Sequence, residues 1–430
     1  MAGWYQKLSN GMLENGVESD FVNWYDHGYN YSKNSRHIVL ALASKFQKIS
    51  KLKPPIIIYI FFSPVALFFK VLSSIARGVY GFVALMKYDA FIFTWGNSLW
   101  RWNLDFYLLK LLGKKLVVNL AHGSDMRLPY ASGGYQQNMM SDKKFSSYLQ
   151  KNLSRLARKI RRIEKHKVKC IGAPLSSSPL ASKKMINLFY LGIPSHNEVE
   201  KVNSSKESLS QDKQKLRILH APSNPNFKGS KEIRNAIKCL KNENLDFEYI
   251  EITNASNEKV LAELKACDLV IDQLYSDTPM ATLAAEAAYC GKPTIVGGYG
   301  FEELKKWIDP KLWPPTILCT PQKFRSTLKA FIENPKLGKD IGIKAQNFVQ
   351  TKWSAKEVAN RYLKVLCEDQ LADSCYFDPM ELSYVYGAGL NEKELKRRLK
   401  LLLNKGSLKP LGLNHNPNLE KKYYQFGMAS

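Results

Sequence analysis

An α/β fold in two halves, followed by a basic C-terminal extension, is what the sequence predicts. Three observations lead there. Short β-branched runs alternate with helical stretches over most of the 430 residues, the pattern of parallel sheets covered by helices. A polar stretch from Ser195 to Gln214, SHNEVEKVNSSKESLSQDKQ, separates two sets of such runs. The length suffices for two ordinary domains with a tail to spare, and an apolar fraction of 45% without low-complexity runs belongs to a folded chain.

Taken in order, the strands of the first half are expected at Asp20 to Asn23, Ala90 to Thr94, Lys115 to Leu120, Val168 to Ile171 and Leu188 to Tyr190. Those of the second half are expected at Leu216 to Ala221, Phe247 to Thr253, Leu269 to Leu274, Thr294 to Val296 and Thr316 to Cys319. The resulting division is a first domain over residues 1–194, a linker over 195–214 and a second domain over 215–350. A helix over 351–370 that can cross back to the first domain comes next, and then the extension over 371–430.

Residues 54 to 88 raise the question of a membrane. The run PPIIIYIFFSPVALFF is bounded by Lys53 and Lys70 and interrupted by Pro64, short of the roughly 20 residues a spanning helix needs. Beyond it, Val65, Phe68, Phe69, Leu72, Ile75, Ala76, Val79, Phe82, Val83 and Met86 recur at helical spacing opposite Lys70, Ser73, Ser74 and Arg77. Two readings stand: a helix facing the core of the first domain, and a helix lying in a lipid interface.

Charge narrows the partners without choosing among them. Lys and Arg number 63 against 38 Asp and Glu, a formal balance of +25, and such a field attracts polyanions. The excess is concentrated in two blocks. Lys143 to Lys169 carries Lys151, Arg155, Arg158, Lys159, Arg161, Arg162 and Lys165 on one expected helix, and Lys393 to Lys405 reads KELKRRLKLLLNK. With Lys151, Arg155, Arg158, Arg162 and the segment Lys396 to Lys400, these blocks suit an anionic membrane surface. A nucleic-acid-binding protein is the rival that charge allows, but no RNP, helix-turn-helix or zinc pattern accompanies it. Seven cysteines, an odd number with no CxxC pair, suggest neither a zinc site nor a disulfide framework. A reducing cytoplasm fits, as does the lack of a basic-then-apolar N-terminal signal.

Three segments carry chemistry. In DQLYSDTPMATLAAEAAYCGKPTIVGGYG, Asp272 to Gly300, Thr278 is a good N-cap, Pro279 suits a first helical position, and Gly291 supplies the stop before the next strand. Free N–H groups and the positive dipole end at such a helix start favour a diphosphate. Glu286, on the face of Thr282, is placed to accept ribose hydroxyls. In LHAPSNPNFKG, Leu219 to Gly229, a lysine at the end of a strand-to-helix loop can put positive charge on a leaving diphosphate. In GKKLVVNLAHGSDMR, Gly113 to Arg127, His122 comes after a strand at its carboxyl end, where ligands of open α/β sheets sit.

Together these segments resemble the GT-B glycosyltransferases, specifically family-4-like retaining enzymes, over roughly Gly3 to Leu366. The resemblance implies two Rossmann-like domains facing each other across a cleft. Glu286 matches the ribose-binding acid, and Asn224, Asp277, Thr278, Pro279, Met280, Ala281 and Thr282 fall where the family holds the diphosphate and sugar. Lys228, His122 and Asp125 take the catalytic positions, with His122 approaching the sugar from the opposing domain. Gly3, Trp95, Asn97 and Arg101, the last three within TWGNSLWRWNLDFYLLK, lie on the acceptor side.

The chain departs from the family at three points. Thr278 stands where a second glutamate is usual, Ser223 and Asn224 stand where an arginine is common, and only Met1 and Ala2 precede Gly3, so the family's first strand has no counterpart. The resemblance implies transfer, with retention, from a nucleotide diphosphate sugar to a glycan or lipid-linked acceptor of cell-surface polysaccharide synthesis. The enzyme is expected on the inner face of the cytoplasmic membrane, with no cofactor and no metal, because basic contacts can neutralise the diphosphate. A sugar-nucleotide epimerase of similar build is the rival enzyme.

Overall fold

The computed structural model describes residues 3–22, 38–50, 56–195, 215–403 and 407–429. Residues 196–214 of the expected linker, Lys51 to Pro55, and the last two residues of the second basic block lie outside the described residues. Two five-stranded sheets organise the chain, one per half.

In the first half the order is α1 (Trp4–Glu14), α2 (Ile38–Ser50), α3 (Ile56–Lys87), β1 (Ala90–Thr94), α4 (Asp105–Leu111), β2 (Lys115–Asn119), α5 (Asp142–Lys165), β3 (Lys169–Gly172), β4 (Met185–Asn187) and α6 (Leu188–Leu191). Strands β1 to β4 are parallel neighbours in chain order. Two expectations fail here. Residues 20–22 of the Asp20 to Asn23 strand are irregular, with the Asp20 carboxylate held by Lys87 and Tyr88 at the end of α3. Leu188 to Tyr190 is the short helix α6, because the Asn187 side chain accepts the N–H of Phe189 and turns the chain out of β4.

The second half runs β5 (Leu216–His220), α7 (Pro225–Lys228), α8 (Ser230–Asn242), β6 (Phe247–Glu251), α9 (Asn257–Ala266), β7 (Leu269–Ser276), α10 (Thr282–Tyr289), β8 (Thr294–Gly298), α11 (Phe301–Leu304), β9 (Ile317–Cys319), α12 (Phe324–Glu333), α13 (Lys336–Thr351) and α14 (Ala355–Cys367). Its sheet is all parallel in the order β6-β5-β7-β8-β9, a doubly wound arrangement whose order reverses beside β5 and β7. Every residue of β7 is buried, as a central parallel strand covered on both faces requires.

The chain then returns to the first half. Helix α14 lies on α1 so closely that a Cβ on Gly11 would stand 2.0 Å from the Ala355 carbonyl oxygen, and Tyr362 accepts a hydrogen bond of 3.0 Å from Asn119 at the end of β2. The tail is built into that half and does not hang free. Strand β10 (Tyr376–Phe377) pairs antiparallel with β4. Helices α15 (Glu392–Leu403) and α16 (Pro417–Met428) bury Leu395, Leu399, Leu402, Leu419 and Tyr423 in the same core as Phe145 and Leu149 of α5.

Helix α3 continues through Pro64, and its Pro64–Lys87 portion is long and apolar enough to cross a membrane by length and composition, with most of it exposed. The side facing the protein is Ser73, Tyr80, Ala84 and Leu85, with Ser73 donating to the Ala43 carbonyl of α2. Val65, Phe68, Val71, Ile75, Val79, Phe82, Val83 and Met86 are exposed. Most of the apolar stripe therefore points outward, with Phe69, Leu72 and Ala76 half-buried, and the reading of that stripe as core-facing does not hold.

Candidate active site

Positioning begins at the turns that leave β5 and β7. After β5, Asn224 accepts the N–H of Phe227 and caps α7, whose single turn ends at Lys228. Gly229 comes next with φ +74, and a Cβ there would press on Leu274 of β7 at 2.9 Å, so the loop needs a residue that is both left-handed and bare. His220 fixes the base of this loop. Its Nδ1 donates to the Ile271 carbonyl and its Nε2 accepts from the Ser230 hydroxyl, each at 2.8 Å, and burial pushes its imidazolium form down, so it is a neutral strut.

Lys228 forms an ion pair with Asp272 at 2.7 Å. The carboxylate is fully buried in β7 and its second oxygen has no hydrogen-bond partner. A charge in that position costs stability unless it is matched, and the pair holds the ammonium at the carboxyl end of the sheet with part of the lysine still exposed. Asp272 was legible only as an acid inside the apolar run LVIDQL.

The loop after β7 differs from expectation. Helix α10 starts at Thr282 with Ala281 as N-cap, beyond the expected cap at Thr278. The Ser276 hydroxyl donates to the Thr278 carbonyl and accepts its N–H, and the Thr278 hydroxyl donates to the Met280 carbonyl. Thr278 and Pro279 are thus consumed in a tight turn ahead of the helix, and Met280 is buried in the core. Ala281 offers no side-chain cap, which leaves the N-terminal N–H groups of α10 for an incoming acceptor such as a phosphate oxygen. One turn on, Glu286 lies 3.6 Å from the Lys7 ammonium of α1.

Asp277 is drawn into a contact between the halves. Arg127 donates to its Oδ2 at 2.5 Å, and the Ser176 and Ser177 hydroxyls donate to the same oxygen, Ser177 at 3.0 Å. Burial alone would raise this carboxyl, but Arg127 and the two hydroxyls hold it below the usual carboxylate range. Arg127, Ser176 and Ser177 escaped the sequence reading, since nothing in their local pattern marks them and only the fold brings them together.

From the first half, His122 leaves β2 and is buried, sharing a hydrogen bond of 2.5 Å between its Nε2 and the Tyr5 hydroxyl, with Trp4 edge-on at 5.0 Å. Burial lowers its imidazole to about 3, so it is a neutral hydrogen-bonding group. Asp125, one short turn later, is buried with Oδ2 unpartnered. Burial raises its carboxyl and the charge of Lys159 opposes this. Trp95, Asn97 and Arg101 come after β1 at the same sheet edge, all exposed, with Arg101 over the Trp102 ring. Gly3, at φ +78, opens α1.

Helix α1 and Arg127 tie these parts into one site. Within two residues, α1 touches His122 through Tyr5 and Glu286 through Lys7. Arg127 touches Asp277 and lies 5.8 Å from the Phe227 ring, next to Lys228. The three motif segments, far apart in sequence, therefore meet where the two halves face each other.

No protein-family model and no curated protein sequence matches the chain. Among solved structures, sucrose-phosphate synthase from Thermosynechococcus elongatus is similar at 12% identity, over 84% of this chain and 91% of that one, with TM-score 0.44. HepE of Anabaena, in complex with UDP and glucose, is similar at 15% identity over 68% and 81%, TM-score 0.40. The glycosyltransferase SnogD from Streptomyces nogalater is similar at 9% identity over 84% and 94%, TM-score 0.37.

Proposed function

We propose that the chain is a glycosyltransferase that takes a sugar from a nucleotide diphosphate donor, with the diphosphate on Lys228 and the start of α10, the ribose on Glu286 and the sugar beneath His122. The observation that carries this reading is the meeting, around α1 and Arg127, of a lysine at a strand end, an uncapped helix start and an acid one turn beyond it. Lys228 supplies positive charge where a departing phosphate oxygen becomes more negative, and Asp272 keeps it in place. With Nε2 of the neutral His122 held by the Tyr5 hydroxyl, Nδ1 is the ring nitrogen that would meet a sugar hydroxyl, without adding charge. The remaining work is positioning.

The acceptor is a glycan or lipid-linked chain at an anionic membrane, with the exposed stripe of α3 as the membrane seat. Exposed Leu104, Tyr107 and Leu111 on and beside α4 add apolar surface in the same half, and Lys151, Arg155 and Arg158 of α5 are available for anionic headgroups. The two arginines of the other basic block are engaged within the protein. Arg398 is buried and donates to the Ser132 carbonyl, and Arg397 is paired with Glu394 and Asp142. Asp125, a buried carboxyl with one unpartnered oxygen, is the feature that suits the epimerase alternative, in which it would move a proton.

A thermal-shift series with nucleotides and nucleotide sugars, and then transfer assays with and without EDTA, tests the proposal. A nucleoside diphosphate or its sugar should raise Tm, since a ligand of the folded state stabilises it, and turnover should survive chelation. Failure of every nucleotide to shift Tm would remove the donor site, and activity lost in EDTA and restored by Mg²⁺ would remove the metal-free mechanism.

A further inference from the structure

A cavity of about 730 Å³ lies outside this site, between the carboxyl ends of β7, β8 and β9 and helix α15. That volume falls in the roughly 300–1,000 Å³ range of small-ligand sites. Its walls come from Tyr275 and Tyr299 on one side and from Lys393, Lys396, Arg397 and Lys400 on the other. Tyr275 belongs to the core beneath α8 and α12, whereas Met280, Ala284, Ala285 and Ala288 belong to the core shared with α1 and α14. Tyr275 and the helix that carries Glu286 therefore pack into different cores, with Tyr299 against both.

The four cations are spaced i, i+3, i+4 and i+7, which puts them on one face of α15. Two of them are already matched. Lys396 pairs with Glu392, itself in the cavity wall, at 3.0 Å, and Arg397 pairs with Glu394 at 2.8 Å and Asp142 at 3.4 Å. Lys393 and Lys400 are exposed and form no ion pair among the described residues. The tyrosines give ring carbon and hydroxyls, with Tyr299 stacked between Tyr275 and Tyr386 at centroid distances of 6.2 and 4.5 Å. The ring faces of Tyr299 are covered by its two neighbours, so this wall offers tyrosine edges and hydroxyls, which opposite two unmatched ammonium groups suit a hydroxyl-rich ligand with at least two negative charges.

We propose that this cavity binds an anionic oligosaccharide, a short saccharide bearing carboxylates or phosphates, and so holds an acceptor or product chain away from the point of transfer. The choice of a saccharide over other anions rests on the glycosyl-transfer reading; the cation and tyrosine geometry does not. The test is isothermal titration of the full chain with trigalacturonate, uncharged maltotriose and inorganic phosphate, repeated on the double variant Lys393→Ala/Lys400→Ala. Both lysines are exposed, so the variant should fold, and an unchanged Tm checks this.

Trigalacturonate should bind the parent chain more tightly than either control. The double variant should weaken it by about tenfold or more, while the thermal shift from a nucleoside diphosphate is unchanged. Equal affinity for phosphate and trigalacturonate, or equal affinity of parent and variant for trigalacturonate, overturns the proposal. So does binding of phosphatidylglycerol vesicles through Lys393 and Lys400 in place of the saccharide. Loss of every nucleotide response while trigalacturonate still binds through these lysines would sink the donor site alone and leave this cavity standing.

Discussion

Lys228 and Glu286 touch different partners and should fail differently. Glu286 would hold a ribose about equally in the ground and transition states, so Glu286→Ala should raise the donor KM on the order of tenfold and weaken the free nucleotide, with little change in kcat. Lys228 would face charge that grows as the bond breaks, so Lys228→Ala should lower kcat by on the order of 10²-fold. Asp272→Asn, which keeps the shape of the buried partner but removes its charge, should reproduce part of the kcat loss. Steady-state kinetics on the three variants checks this, and an intact kcat in Lys228→Ala would move the phosphate site elsewhere. His122 adds a pH signature. Its folded value, held at about 3 by burial, lies below the unfolded value near 6.5. Its contribution to stability is therefore complete above pH 6.5 and is lost as pH falls toward 3, at up to about 1.4 kcal/mol per pH unit. Urea midpoints between about pH 7 and 5 should fall, and His122→Gln should flatten that slope. His122, Lys228 and Glu286 were legible because strand ends and helix starts leave local signals. Tyr5, Lys7 and Asp272 were not, since each matters only through a neighbour distant in sequence.

Helix α3 shows how far periodicity reaches at the level of an element. Its apolar spacing was legible, but which side faces the protein depends on α2, whose Ala43 carbonyl takes the Ser73 hydroxyl, and no one-helix pattern encodes that. Most strands of the two sheets were legible as β-branched runs, with β7 running on past its expected end to Ser276. The start of α10 was misplaced because Thr278 and Pro279 fit a helix cap and a tight turn equally well, and the Ser276 hydroxyl decides for the turn. The outward stripe of α3 carries its own prediction. Val71, Ile75 and Val79 are exposed and one turn apart, so Val71→Asp/Ile75→Asp/Val79→Asp should leave the thermal midpoint unchanged within about 2 °C. The same variant should abolish co-sedimentation with phosphatidylglycerol vesicles. Parent pelleting that falls with salt but is untouched by these aspartates would assign the membrane contact to α5 alone.

Across the whole molecule the two halves are joined by covalent crossings and by buried charge. Helix α14 returns the chain to α1, and the tail adds β10 to the first sheet. The pair Arg127–Asp277, with side chains only 6% and 8% exposed, then bridges the loop after β2 and the loop after β7. An ion pair this deeply buried has already given up hydration on both sides, so the cost of losing one partner exceeds what the pair contributes as a whole. Asp277→Ala should destabilise by about 3–5 kcal/mol, since it leaves a guanidinium in the interior whose remaining hydrogen bonds among the described residues go to the neutral Ser176 and Ser177 hydroxyls. Arg127→Met/Asp277→Leu, which removes both charges and fills the space, should recover most of that loss. Because Asp277 titrates below the usual range in the folded state, the stabilisation it provides is present above the unfolded carboxylate value near 4 and disappears as pH falls through the lower folded value. The parent should therefore lose stability at acid pH more steeply than the double variant. Urea denaturation of the parent, both single variants and the double variant at neutral and acid pH measures this directly. A double variant as unstable as Asp277→Ala would show that the geometry of the contact, and not its charge, holds the halves together.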